Sequence, residues 1–129
     1  MPENPYETDA LLQQYLVFHY ANEAEQFPYP FGATDALGFP VRCVTEGLDF
    51  GSIKPESQAL DLGCAVGGSS FELARHCAEV IGIDYSEAFI AAARQLQSTG
   101  KVSASRLDEP SSHTRLEQEI EAAIDRTKL

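Results

Sequence analysis

Apolar residues near the N-terminus recur at the spacing of a helix that buries one face. The positions that share this face are Leu12, Tyr15, Leu16 and His19. Asn4, followed by Pro5, is one candidate N-cap, and Thr8 is another about one turn later. The stretch 27–40, rich in Pro, Gly and Phe, predicts a structured loop. A short helix is then expected over residues 40–48, so the chain should begin with a helical extension.

The middle of the chain alternates between short β-branched or apolar runs and longer helical patterns. It predicts a strand at Gln58–Leu62, a helix over 67–77, a strand over 80–84 and a helix from Ser86 to Gly100. The run 80–84 (VIGID) has the composition of a buried parallel strand. Because strand and helix alternate, the expected fold is α/β, with a parallel sheet and a right-handed crossover.

Beyond Gly100 the pattern changes. Residues 101–115 are polar and give no strand signal, and one short amphipathic helix is then predicted from Leu116, Ile120, Ala123 and Ile124. The expected organisation is a helical cap and loop (1–57), a βαβα cofactor-binding unit (58–100) and a polar segment with a short helix (101–129).

A glycine-rich turn, Asp61-Leu-Gly-Cys-Ala-Val-Gly67, joins the first predicted strand to the helix after it. Glycine lets a backbone turn sharply and approach a ligand closely. Ligands of open α/β sheets bind outside the carboxyl ends of the strands. Gly63, Cys64, Ala65 and Gly67 are therefore predicted to line a cofactor, and Asp61 can accept hydrogen bonds from an ammonium group or from water.

Asp84 ends the second predicted strand and should reach the same cleft. A carboxylate at this place can accept hydrogen bonds from both ribose hydroxyls of a nucleotide. Tyr85 follows it and can cover an adenine ring or pack at the strand end. An acid before the first glycine and Ala65 at the place of the middle glycine favour S-adenosylmethionine over NAD, because that middle glycine normally admits a pyrophosphate.

Composition and charge limit the kinds of partner that the chain is expected to bind. The formal net charge is -11, and no Lys or Arg precedes Arg42, so a nucleic-acid backbone is an unfavourable partner. No apolar run is long enough to span a bilayer, and the polar, acidic start is unlike a signal peptide. The expectation is a cytoplasmic protein. The three cysteines form no metal-binding spacing, so no metal is predicted.

Several motifs in order resemble one family. Residues 60–67 and 80–84 are similar to the first two cofactor motifs of class I S-adenosylmethionine-dependent methyltransferases. This resemblance implies a Rossmann-like parallel sheet. Five further segments resemble the methyltransferase domain of ovothiol biosynthesis enzymes, described as 4-mercaptohistidine N1-methyltransferases. They are residues 6–9 (YETD), 18–20 (FHY), 30–32 (PFG), 36–43 (ALGFPVRC) and 70–75 (SFELAR).

The resemblance implies methylation of an imidazole nitrogen of a thiol-bearing histidine, with S-adenosylmethionine as methyl donor. It identifies no catalytic residue. His19 and Tyr20 are candidates if the N-terminal helix closes over the cofactor, although a lone histidine on an apolar helix is more often a packed residue. Arg42 is a candidate ligand for a carboxylate of the substrate or cofactor, and a surface ion pair is an equal alternative.

Length separates this chain from that family, whose domain is about twice as long. The sheet is therefore expected to be incomplete, with a completing chain or a separate sulfoxide synthase as partner. The alternatives to an active methyltransferase are a catalytically incompetent fragment or binding module and, less favoured, an NAD-dependent oxidoreductase.

Overall fold

The computed structural model describes residues 3–108 and 111–129. Helices lie at α1 Asp9–Tyr20, α2 Glu23–Gln26, α3 Phe39–Thr45, α4 Gly68–Leu73 and α5 Glu87–Thr99, and strands at β1 Gln58–Leu62, β2 Glu79–Ile83, β3 Lys101–Asp108 and β4 Ser112–Glu119. Four 3₁₀ turns lie at Pro5–Glu7, Thr34–Ala36, Phe50–Ser52 and Arg126–Lys128.

The N-terminal extension is helical, as predicted. Thr8 caps α1 by accepting a hydrogen bond from the backbone of Leu11, which selects the later of the two predicted starts. The helix ends at Tyr20, and a capping box built from Asn22 and Glu25 starts α2. Leu16 of α1 is buried in the core of the chain.

Strands β1 and β2 pair in parallel, with Asp61 opposite Gly82. The Ser86 cap and the left-handed Gly100 bound α5 as predicted. By contrast, α4 ends at Leu73 rather than near Cys77, because the next backbone hydrogen bonds, from Arg75 and His76, reach back three residues and tighten the chain into a turn. Helices on a small parallel sheet are compatible with the expected Rossmann-like α/β fold.

The prediction for residues 101–129 was wrong in its secondary structure. Lys101–Asp108 and Ser112–Glu119 pair as the antiparallel strands of a hairpin in which Ala104 lies opposite Leu116, and no helix forms at 116–124. Buried positions alternate along both strands, at Val102 and Ala104 and again at Leu116 and Gln118. This period of two places one face of the hairpin against α1 and α5, and that packing decides the structure.

The core lies between the helices and one face of the β1–β2 sheet. Its fully buried side chains include Leu16, Val66, Phe71, Val80, Phe89 and Leu96. The opposite face of the same sheet carries four exposed apolar side chains, which we call the open sheet face: Leu60, Leu62, Ile81 and Ile83. Parallel sheets normally have both faces covered, so this surface is unusual. The predicted incompleteness of the sheet stays a prediction.

Candidate cofactor site

The glycine-rich turn leaves β1 and is hydrogen-bonded to the end of β2. The backbone N–H groups of Gly63 and Cys64 donate to the carbonyl of Ile83 at 2.8 and 3.0 Å. Gly63 has a φ of +76°, and a Cβ added there would meet no atom within 4 Å. The start of the loop therefore presents bare backbone to open space at the carboxyl end of the sheet, as a cofactor loop requires.

Ala65 stands where the dinucleotide-binding motif has its middle glycine. It adopts a φ of 49°, a left-handed conformation that is uncommon for residues other than glycine. Its N–H donates to Asp84 Oδ2 at 2.9 Å, which helps to hold the strained turn. The side chain is buried, so its methyl group packs inward and does not project into the space above the loop.

Asp84 joins the two cofactor motifs. Besides the bond from Ala65, its Oδ1 accepts a hydrogen bond from the backbone N–H of Ser86 at 2.8 Å. A carboxylate has about four lone-pair positions, so two protein donors leave further acceptor capacity. The predicted placement of Asp84 beside the glycine loop is thus present in the structure, and Asp84 has a loop-holding role that the sequence did not reveal.

Asp61 lies at the end of β1 and accepts a hydrogen bond from Ser70 Oγ at 2.7 Å. Ser70 is buried on α4 and was not among the predicted site residues. A signal was available, because a serine on the inward face of a helix after a glycine loop needs a polar partner. Gly82 makes room for this pair, since a Cβ there would lie 3.0 Å from Ser70 Oγ.

Cys64 and Tyr85 occupy very different surroundings. Burial, reinforced by the charges of Asp61 and Asp84, raises the pKa of the Cys64 thiol to about 11, so the thiol stays protonated at neutral pH and is a poor nucleophile. Tyr85 is 90% exposed beside Asp84. Within residues 3–108 and 111–129 the structure shows no packing role for it at the strand end, so its ring is available to a ligand.

His19 and Tyr20, at the end of α1, both contact the loop backbone. Gly68 N–H donates to His19 Nδ1 at 3.0 Å, and Tyr20 Oη donates to the carbonyl of Val66 at 2.5 Å. The N-terminal helix therefore packs against the glycine loop. Arg42 behaves differently, because its guanidinium bonds Glu46 and the carbonyl of Asp35 and none of these contacts reaches the loop.

A cavity of about 710 Å³ borders the loop from the helix side of β2. Its lining includes Gly67, Ser70 and Gly82 and continues along α5 to Leu129. Neither Asp61 nor Asp84 lines it. Of the residues predicted to line a cofactor, Cys64 and Gly67 line this cavity.

A strand, glycine turn and helix followed by a parallel strand ending in an acid define a nucleotide-type cofactor unit of an α/β protein. The model of a family described as "Methyltransferase domain" matches residues 53–125. The chain belongs to this methyltransferase-domain family. This membership supports the assignment of the chain to the class I methyltransferases. Among curated proteins, none gave a significant match to the chain. Over the described ranges 3–108 and 111–129, the helices fall short of the length and apolar character needed to cross a membrane.

Proposed function

We propose that the protein is an S-adenosylmethionine-dependent N-methyltransferase that acts on an imidazole nitrogen of a thiol-bearing histidine. The observation that carries the cofactor half is the hydrogen-bonded pairing of Asp84 with the glycine loop at Ala65. The acceptor half rests on the resemblance of the N-terminal motifs to ovothiol-type methyltransferase domains.

The residues at the carboxyl edge fit this cofactor. Gly63 offers bare backbone to open space, and Asp84 retains acceptor capacity for ribose hydroxyls. Asp61 supplies negative charge for the ammonium group of the methionine part. When bound, S-adenosylmethionine supplies an electrophilic methyl group. The protein contributes mainly by holding donor and acceptor in line, and Arg42, whose contacts with Glu46 and the Asp35 carbonyl do not reach the loop, is given no role in this proposal.

In this proposal a separate sulfoxide synthase is a partner in the same biosynthesis, as the resemblance implies, and the methyl transfer is the only step assigned to this chain. A neutral imidazole nitrogen is already nucleophilic, so at most a weak base is needed for the departing proton. His19 Nδ1 and Tyr20 Oη are both engaged with loop backbone, and we therefore assign neither atom to proton transfer.

The open sheet face favours a second candidate. Four large apolar side chains exposed on a parallel sheet suit a surface that another polypeptide covers. In this case the chain is a binding module that acts with a completing chain and has little activity by itself.

Calorimetry on the purified chain tests the cofactor proposal. Wild-type protein should bind S-adenosylhomocysteine and should not bind NAD. Asp84→Asn should weaken binding about tenfold or more, because it removes a charged acceptor from the ribose site and loosens the loop. Asp49→Asn is a matched control, since Asp49 also accepts a hydrogen bond from the N–H two residues later, at 3.0 Å, on an exposed turn.

The acceptor is tested by incubating the chain with S-adenosylmethionine and 4-mercaptohistidine and looking by mass spectrometry for one added methyl group. Plain histidine is the control acceptor. Binding without methyl transfer would favour the binding-module candidate. Binding of NAD alone by a folded chain would contradict the methyltransferase proposal.

A further inference from the structure

Two neighbouring side chains at the end of α1 bond the glycine loop on both sides of Gly67. Tyr20 donates to the carbonyl of Val66, one residue before it, at 2.5 Å. His19 accepts from the N–H of Gly68, one residue after it, at 3.0 Å. Gly67 itself has a left-handed φ of +95°, so the two bonds lie on either side of a left-handed residue of the loop.

The close approach of α1 accounts for the glycine at position 68. A Cβ at Gly68 would lie 2.6 Å from His19 Nδ1, whereas one at Gly67 would lie nearest to Phe71, at 3.2 Å, with Tyr20 Oη at an ordinary contact distance of 3.4 Å. The contact at Gly68 is shorter than side-chain atoms tolerate, so a larger residue there would displace the imidazole. The His19 side chain of α1 is thus packed directly against the backbone of the loop.

The direction of each bond fixes the protonation state of its side chain. To accept from an N–H, Nδ1 of His19 must be unprotonated, so the neutral tautomer carries its proton on Nε2. Burial lowers the pKa of His19 to about 4, which agrees with a neutral ring. Burial also raises the pKa of Tyr20, with smaller contributions from Cys64 and Asp61, so its hydroxyl remains a donor.

The same N-terminal segment also holds the start of α5, next to Asp84. The Glu7 carboxylate accepts from the first two backbone N–H groups of α5 at 2.8 and 3.1 Å. Ser86 Oγ donates to the carbonyl of Tyr6 at 2.7 Å, and Tyr15 packs on Phe89 with ring centroids 4.6 Å apart. Residues 6–20 therefore contact both cofactor motifs, through the turn before α1 and through α1 itself.

We propose that His19 and Tyr20 are positioning residues, which clamp the backbone on either side of Gly67 and hold the loop in its cofactor-binding shape. This inference rests on the proposed function for the identity of the ligand. It gives the two residues a role through the loop backbone rather than at the reacting atoms.

Four variants of the full chain test the clamp. His19→Phe removes the acceptor, whereas His19→Asn restores an acceptor oxygen at the δ position. Tyr20→Phe removes only the hydroxyl. Tyr15→Phe is its matched control on the same helix, because the Tyr15 hydroxyl makes no hydrogen bond within residues 3–108 and 111–129.

Three measurements are made on each variant: the Kd for S-adenosylhomocysteine, the unfolding midpoint in denaturant, and amide hydrogen exchange of Gly68. The loss of one bond should raise the Kd about three- to tenfold in Tyr20→Phe, and about tenfold in His19→Phe, which leaves a buried donor unpaired. Gly68 should exchange faster in His19→Phe and stay protected in His19→Asn. Tyr15→Phe should bind like wild type.

The ring of His19 gives a further readout, because nitrogen chemical shifts distinguish the two neutral tautomers. A proton on Nδ1 at neutral pH would overturn the inference. So would variants that lower the unfolding midpoint but leave the Kd of the folded protein unchanged. If wild type binds no S-adenosylhomocysteine, the proposed function and the cofactor part of this inference fail together, and Gly68 exchange then decides the loop-holding part alone.

Discussion

At the scale of single residues, burial and hydrogen bonding both favour the neutral form of the His19 imidazole. The imidazole lies partly buried among Tyr15, Phe18 and Tyr20 and accepts a hydrogen bond that a protonated ring could not accept. Burial lowers its pKa from 6.5 to about 4. Folding therefore excludes a proton that the unfolded chain takes up at mildly acidic pH.

This shift predicts how the stability of the chain depends on pH. Between pH 6.5 and about 4, unfolded His19 binds a proton and folded His19 does not. The contribution of the neutral ring is thus complete above pH 6.5 and is lost as pH falls toward 4. The free energy of unfolding, measured by denaturant titration at several pH values, should lose up to about 3 kcal/mol from this group.

His19→Asn isolates the effect, because it keeps an acceptor and removes the titration. The variant should therefore show a shallower pH dependence than wild type through this window. His113→Asn changes an exposed histidine on β4 and is the control, with the wild-type dependence expected. Parallel curves for wild type and His19→Asn would contradict the burial of a neutral ring.

Some residues of the candidate site could be predicted from the sequence, but their hydrogen-bond partners could not. Gly63, Gly67 and Asp84 were predictable, because glycine turns and strand-end acids have recognisable spacings. Their partners were not, since the Asp61–Ser70 bond and the His19–Gly68 bond depend on how separate elements pack.

At the scale of elements, prediction succeeded where local signals agreed with tertiary packing. Strand β1 and helix α5 have the predicted type and nearly the predicted ends, because the glycine-rich turn marks the end of the strand and the Ser86 and Gly100 caps mark the ends of the helix. The hairpin was missed because two of its four buried positions are small or polar, so the apolar alternation is weak in the sequence. Ala104 and Gln118 are buried, and Gln118 is held by a bond to Glu25 on α2.

Leu116 provides a test of the alternating burial along the hairpin. It is 9% exposed on β4, opposite Ala104, so Leu116→Ala should lower the free energy of unfolding by about 2 kcal/mol or more. Leu107→Ala is the matched control on β3, where the side chain is 61% exposed, and should change it by less than about 0.5 kcal/mol. Denaturant unfolding measures both, and equal losses would contradict the alternating burial of the hairpin.

At the scale of the whole molecule, the two faces of one sheet are in opposite environments. Val80 is 2% exposed under the helices, while Ile81, the next residue of β2, is 52% exposed on the open sheet face. The chain's net charge of -11 opposes association between copies through long-range repulsion. The open sheet face nevertheless offers apolar area that association would bury.

Threonine substituted at two adjacent residues of β2 compares the buried face of the sheet with the open sheet face. Val80→Thr should cost about 1–2 kcal/mol, because it buries a hydroxyl among apolar groups. Ile81→Thr keeps a β-branched residue and should change the free energy of unfolding by less than about 0.5 kcal/mol, while reducing the binding of an apolar dye. Denaturant unfolding at two protein concentrations gives both values. A large, concentration-dependent loss in Ile81→Thr would mean that a second copy covers the open sheet face in solution.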